Sequence, residues 1–396
     1  MSFSIAGQAL KISSAEDMLP HIDAIAKLDK CTSIDLSGNT IGIEASRALA
    51  ACISNNAHVR DNLADANLAD LYTSRLVDEV VESLQLILPA LLKCPQLHTV
   101  NLSDNAFGLR TIDSLEHFIS RAAPLKHLIL SNNGMGPFAG ERIGKALFHL
   151  AEYKKQQGAD KAPPLETFVC GRNRLENGSS LYLALGLKAH GAGLRTVRLY
   201  QNGIRPRGIM NLLHYGLRFN TGLRVLDVQD NTLTATASAM LAETLPVWKD
   251  VLEELNLNDC LLKRQGADDV LKVFVDMEFP KLHALKLEFN EICQASVEEK
   301  LLVAIEAKHL PALKTLQING NVLEEDSEAL DTLQGMFDDL ELDDLEEPDS
   351  DEEDEEDDDE DDEDEAFLEV ETDPLEKELL QVDIDQLASD LAKTAI

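Results

Sequence analysis

The chain has 396 residues, 44% of them apolar, enough to bury a large core as two or three domains or as one elongated repeat array. Its 72 acidic residues against 35 basic ones give a net charge of −37. That argues against a nucleic-acid or anionic-membrane binder, because either needs a cationic footprint. The charge is concentrated: residues 338–396 hold 31 acids and 2 bases, so residues 1–337, with 41 and 33, form a mildly acidic body.

At the start, Met1–Lys11 lacks the basic stretch and apolar core of a targeting leader. The longest apolar run, Leu86 to Leu92, has seven residues, against about 20 for a membrane span. The six cysteines are far apart with no CxxC, so a disulfide framework is not expected. They read as reduced, buried, small apolar residues of a cytosolic or nuclear protein.

Along the chain one pattern recurs, L-x-x-L-x-L-x-x-N. Its copies end at Asn39, Asn105, Asn133, Asn173, Asn202, Asn231, Asn290 and Asn321, with degenerate copies ending at Leu71 and Cys260. Ten copies spaced by roughly 29 residues mark a leucine-rich repeat of the long type. The L-x-L core predicts a short strand with its leucines inward, and the Asn bonds backbone groups of neighbouring coils. Gly140–Leu150 predicts a helix with Ile143, Ala146, Leu147 and Leu150 on one face. A single unit cannot bury its apolar face, so neighbours stack. The fold class expected is an α/β leucine-rich repeat solenoid of ten or eleven repeats over residues 1–337. Its shape would be a curved horseshoe, with parallel strands on the concave face and helices on the convex face. Longer steps put insertions near Leu71–Leu92 and at Ala151–Pro164, where Lys154 to Gly158 suggest an exposed loop.

Leu323–Met336 suggests a capping helix. Residues 338–365 hold 23 acids, 15 of them consecutive, and such a self-repelling block is expected to be disordered. The last segment, 366–396, opens a helix at Asp373-Pro374-Leu375-Glu376 and carries an apolar stripe of Leu380, Ile384, Leu387 and Leu391. Leu375, Leu379, Val382 and Ile384 also match the spacing of a leucine-rich nuclear export signal.

No familiar enzyme site appears. His98, His127 and His283 recur at one strand-start position, a structural feature of the repeat. Gly140 to Gly144-Lys145 is one residue short of a phosphate loop and has Ala146 where Ser or Thr would bind magnesium. The loops after the strands carry more. In Ser131-Asn132-Asn133-Gly134, Asn133 is the ladder residue and Asn132 points to the rim. In Gly171-Arg172-Asn173-Arg174, two arginines flank the ladder residue. Arg75 follows the degenerate copy at Leu71.

These residues bring a family into view. Ser37-Gly38-Asn39-Thr40-Ile41-Gly42, Leu102-Ser103-Asp104-Asn105-Ala106-Phe107-Gly108 and Cys170-Gly171-Arg172-Asn173-Arg174-Leu175-Glu176-Asn177-Gly178 resemble GTPase-activating proteins for the Ran GTPase, especially the short fungal type. The acidic tail fits the same pattern, and the resemblance covers nearly the whole chain. It implies activation of GTP hydrolysis on the GTP form of Ran, alone or with a Ran-binding protein. The chain would not be an enzyme with its own substrate pocket: it would act on the active site of its partner. It would need no cofactor, because GTP and magnesium are carried by the GTPase.

The resemblance further implies that Asn132 holds Ran's catalytic glutamine in place without an arginine finger, and that Arg75 is essential through the interface. Arg172, Arg174, Asn133 and Asp104 are expected partner-binding residues. A cytoplasmic monomer serving nuclear transport follows, without nucleic-acid or membrane contact and without the C-terminal domain that animal members use at the nuclear pore. The alternatives are a leucine-rich repeat scaffold or inhibitor, which is normally richer in Cys and Trp, and an acidic histone-binding protein, which has fewer and shorter repeats.

Overall fold

Each L-x-x-L-x-L stretch folds as a three-residue strand whose central residue is buried, and in copies such as Thr99–Asn101 around Val100 both flanking residues are left half-exposed. The alternation is the period-two consequence of strand geometry. A computed structural model describes residues 1–159, 162–346 and 366–382. They fall into two compact units, residues 1–194 with 371–382, and residues 195–346 with 366–370.

In the first unit, six strands pair in parallel and in chain order: Ser2–Ser4, Ser33–Asp35, Asp65–Asn67, Thr99–Asn101, His127–Ile129 and Thr167–Val169. Strand Ser2–Ser4 adds a turn of the solenoid ahead of the first recognisable repeat. Helices follow the strands, among them Ile43–Asn55, Val77–Leu91, Ile112–Arg121, Gly136–Gln157 and Glu176–His190. They cover one face of the sheet with buried stripes such as Ile143, Ala146, Leu147 and Leu150. The two glycines that resemble a phosphate loop, Gly140 and Gly144, serve packing. A methyl group on Gly140 would lie 2.7 Å from the Ser179 side chain, and one on Gly144 would lie 2.3 Å from the Tyr182 backbone, both on the helix Glu176–His190. Only glycine lets these two helices approach so closely.

The insertion expected as an exposed loop from Lys154 is a helix instead, running to Gln157. Lys154 is 6% exposed. Its ammonium donates to the carbonyls of Ala123, Leu125 and Pro163 at 2.7, 2.6 and 2.6 Å. Burial pulls its pKa down to about 7, while the three carbonyls favour the charged form. A lysine that looks solvated in sequence thereby ties the helix end to the chain entering the next strand.

In the second unit, strands Thr196–Arg198, Val225–Asp227, Glu254–Asn256, Ala284–Lys286 and Thr315–Gln317 pair in the same parallel order. Ser327 caps a final helix, Glu328–Met336. The chain then returns to the last repeat: Glu346 N donates to the Asn321 carbonyl and accepts Leu323 N–H through its own, each at 3.0 Å. The start of the acidic region, placed at 338, thus sits inside chain that is paired up to Glu346. The rest of the acid run lies outside the described residues.

Beyond it, Phe367 packs its ring on His214 and Tyr215 in the second unit. The helix Asp373–Gln381 belongs to the first unit. Its buried residue is Leu379, which joins Phe148 and Leu185, with Leu375 and Tyr182 beside them. Glu376 accepts from Lys188 at 2.7 Å. The expected stripe is displaced by one position, because Leu380 is exposed. Ile384, Leu387 and Leu391 lie outside the described residues. Five of the six cysteines are buried and all are free thiols, and among the described residues no helix is long and apolar enough to cross a membrane.

Candidate functional site

The site is built by the turn that ends each strand. The ladder Asn is consumed by the fold. Asn133 is 1% exposed. Its Nδ2 donates to the carbonyls of Leu102, Leu130 and Ser131 at 3.0, 2.9 and 3.3 Å, and its Oδ1 accepts Asn105 N–H at 2.9 Å. No capacity remains for a partner, so the partner contact expected of Asn133 is not available to it. Asn105 and Asn173 are held in the same way. Cys260, standing where Asn is expected, directs its thiol to the carbonyls of Val228 and Asn258. Leu71 has no such group and simply packs, 1% exposed.

The residue before each ladder position has a left-handed backbone. In the first unit these are Gly38, Asp70, Asp104, Asn132 and Arg172, with φ of 68, 46, 61, 55 and 56°. The left-handed conformation costs an ordinary residue about 1 kcal/mol or more, less for Asn and Asp. It is enforced here by hydrogen bonds to the next turn: Asp104 N to the Ser131 carbonyl and Asn132 N to the Gly171 carbonyl, each 2.9 Å. The consequence is a row of side chains, one per repeat, projected along the strand-exit edge.

Within that row the structure joins two of the residues singled out from sequence. Asn132 Nδ2 donates to Asp104 Oδ1 at 2.7 Å, and both side chains are exposed. Arg172 and Arg174, also left-handed, are exposed one repeat further on. Among the described residues neither guanidinium has an ion pair or hydrogen bond.

Arg75 is placed differently. It lies in the turn two repeats before Asn132, and no contact brings the two together. Its side chain is 14% exposed. Nε donates to Thr40 Oγ1 at 3.1 Å and Nη2 to Ser13 Oγ at 2.8 Å, with Glu79 4.0 Å from Nη1. Thr40 Oγ1 in turn donates to the Thr73 carbonyl at 2.9 Å. Arg75 is therefore a brace that ties its own turn to the two turns before it. Glu79 completes this by accepting Leu76 N–H at 3.0 Å at the start of its helix.

Sequence reasoning missed the apolar members of this edge. Leu76, Leu109 and Phe138 begin the helical segments of three successive repeats and are 74%, 55% and 72% exposed. An ion pair between Arg110 and Asp78 ties two of these segments together. Their signal was present: each breaks the inward apolar register of its repeat. The partners of Arg75 were not foreseeable, since Ser13 is 62 positions away.

The chain is 62% identical to Ran GTPase-activating protein 1 of Saccharomyces cerevisiae over 340 residues, 86% of this chain and 83% of that protein. It is 37% identical to Ran GTPase-activating protein 2 of Caenorhabditis elegans over 52% of this chain and 21% of that protein. It is 32% identical to Ran GTPase-activating protein 1 of Xenopus laevis, over 51% of this chain and 34% of that one. Among solved structures, an internalin from Listeria monocytogenes aligns with 88% of this chain and 82% of its own, at a TM-score of 0.49 and 15% identity. No protein-family model matches. From the Saccharomyces cerevisiae relative above all, the chain belongs to the Ran GTPase-activating protein family.

Proposed function

We propose that the chain stimulates GTP hydrolysis on Ran by holding the GTPase's own glutamine with the carboxamide of Asn132, and that it inserts no arginine. The activity is that of the family: the chain is a GTPase activator for Ran. The manner of activation is our reading of its strand-exit edge. Phosphoryl transfer asks a protein mainly for positioning and electrostatic stabilisation. A carboxamide can donate and accept at once, so it can lock a second carboxamide in one orientation. Fixing a group that orients the attacking water lowers the barrier by several kcal/mol without touching phosphate. GTP and magnesium belong to the partner.

The observation that carries this reading is the exposed Asn132 carboxamide, projected by a left-handed backbone and anchored at Nδ2. Arg75 suits a finger poorly, because its guanidinium is engaged by Ser13 and Thr40. Its place in the mechanism is to hold the turn from Leu71 to Leu76 against Ran. Arg172 and Arg174 are free to meet acidic groups of the GTPase. The net charge of −37 argues against nucleic acid and anionic membranes as partners.

We place the protein in the cytoplasm as a monomer, meeting Ran-GTP that leaves the nucleus, alone or with a Ran-binding protein. Two residues of the export-like spacing, Leu375 and Leu379, are seated against the helices at Phe148, Tyr182 and Leu185. A receptor with an apolar groove must lift that helix to read them. The direct test is hydrolysis by Ran loaded with GTP, with a substoichiometric amount of the protein. Many turnovers per protein molecule support the reading. Hydrolysis at Ran's intrinsic rate, with binding intact, would leave a scaffold.

A further inference from the structure

The exposed carboxylate of Asp104 accepts from Asn132, and this contact decides which way the Asn132 amide points. An ionised carboxylate can only accept hydrogen bonds. With Oδ1 of Asp104 2.7 Å from it, the nearer atom of the Asn132 amide must therefore be the nitrogen. The flipped amide would set two acceptors against each other. The amide oxygen of Asn132 and the second hydrogen on Nδ2 are then both left on the exposed side. That is one acceptor and one donor, the complement of another carboxamide.

The neighbours reinforce this. Asp70, one repeat earlier at the same backbone position, has its carboxylate occupied by the hydroxyl of Thr73. Among the described residues Asp104 has no side-chain partner other than Asn132. Both residues stand on left-handed turns locked by the following repeat, so the backbone from which each side chain projects is fixed. We infer that Asp104 is a positioning residue. It holds the Asn132 amide with its oxygen toward the GTPase, so that the orientation needed for the partner's glutamine exists before Ran binds. This inference rests on the reading that Asn132 orients that glutamine.

The test uses the full chain and single-turnover hydrolysis by Ran-GTP, measured over a range of activator concentrations. Asp104→Gly removes the carboxylate and fits the positive φ without added strain, and its thermal midpoint serves as the folding control. We expect Asp104→Gly to lower the rate at saturation about 10-fold while the half-saturating concentration moves less than about twofold, the signature of lost transition-state organisation. Asp104→Asn, which can still offer a carbonyl oxygen to Asn132, should recover most of the rate. In an Asn132→Gly background, Asp104→Gly should change nothing further.

A rise in half-saturating concentration at unchanged maximal rate would overturn the inference, making Asp104 a direct contact. So would an equal 10-fold drop in the Asn132→Gly background. If Asn132→Gly lowers the rate but Asp104→Gly does not, the inference about Asp104 alone fails. If Asn132→Gly keeps the full rate, the reading of Asn132 fails, and the inference falls with it.

Discussion

The two units share one backbone device and use it differently. In both, the residue before the ladder position is left-handed, as at Asp104, Asn132 and Arg172 in the first unit and Gln201, Asp230, Asp259 and Phe289 in the second. In the first unit the sheet carries Asp35 and Asp65 on its early strands and is neutral at Asn67, Asn101, Ile129 and Val169, beside the turns that bear Asp104, Asn132 and Arg172. In the second unit charges sit on the sheet and neutralise one another. Arg198 donates to Asp227 at 2.8 Å and to Glu254 at 2.9 Å, and Lys286 reaches Glu254 at 3.0 Å. Burial opposes the charge on Glu254, but Arg198 and Lys286 together hold its carboxyl below the usual range. The difference teaches where to look for function in a repeat protein. Polar groups whose capacity is spent inside the fold stabilise it, and those left with capacity at the edge are available to a partner.

The sharpest way to break this comparison is at Asn132. Asn132→Gly, which keeps the backbone conformation, should lower the Ran-stimulated rate by about 100-fold or more, the range found when one preorganised donor is removed from an active site. Its apparent affinity for Ran-GTP should stay close to wild type. Arg75→Ala should come next, with a loss of order 10-fold or more, because it unties the turn beside Asp104. Arg75→Lys should not restore activity: an ammonium on a flexible stem does not reproduce the fork that reaches Ser13 and Thr40 together. Faster proteolysis between Leu71 and Leu76 in both variants would confirm that the loss comes from the brace.

Replacing both Arg172 and Arg174 by Ala should act on encounter alone. We expect the half-saturating concentration to rise several-fold at low ionic strength, and the gap to wild type to narrow as salt screens the surface. The second unit supplies the contrast. Glu254→Gln should leave turnover at saturation unchanged and cost about 2 kcal/mol of stability at neutral pH, the scale of a hydrogen bond to a charged group. Because the folded-state pKa of Glu254 is depressed, its contribution is present above the ordinary carboxylate pKa and is lost as pH falls through the lower folded value. Thermal midpoints of wild type and Glu254→Gln should therefore converge in acid.

Much of this architecture was legible in the sequence because the repeat states its own physics. The inward leucines and the Asn ladder fix strand, turn and stacking, and Gly140–Leu150 gave its buried face correctly. What was not legible depends on contacts far apart in the chain. Nothing local says that Lys154 bonds three carbonyls, or that Arg75 is bound by Ser13. At Asn133 the ladder position and a partner contact exclude each other: the strand-exit turn that projects Asn132 outward leaves Asn133 1% exposed, with its amide bonded to backbone. The displaced stripe of the terminal helix has a similar origin. Its periodicity is compatible with either Leu379 or Leu380 facing inward, and the seat formed by Phe148 and Leu185 decides for Leu379.

The most direct test of the central claim is the single-turnover rate of GTP hydrolysis by Ran at saturating activator, wild type against Asn132→Gly, with binding measured in parallel. The account predicts that Asn132→Gly binds Ran-GTP as wild type does and loses about 100-fold or more of the stimulated rate. A variant that binds normally and keeps the wild-type rate would contradict it, and the catalytic contact would then lie elsewhere on the strand-exit edge.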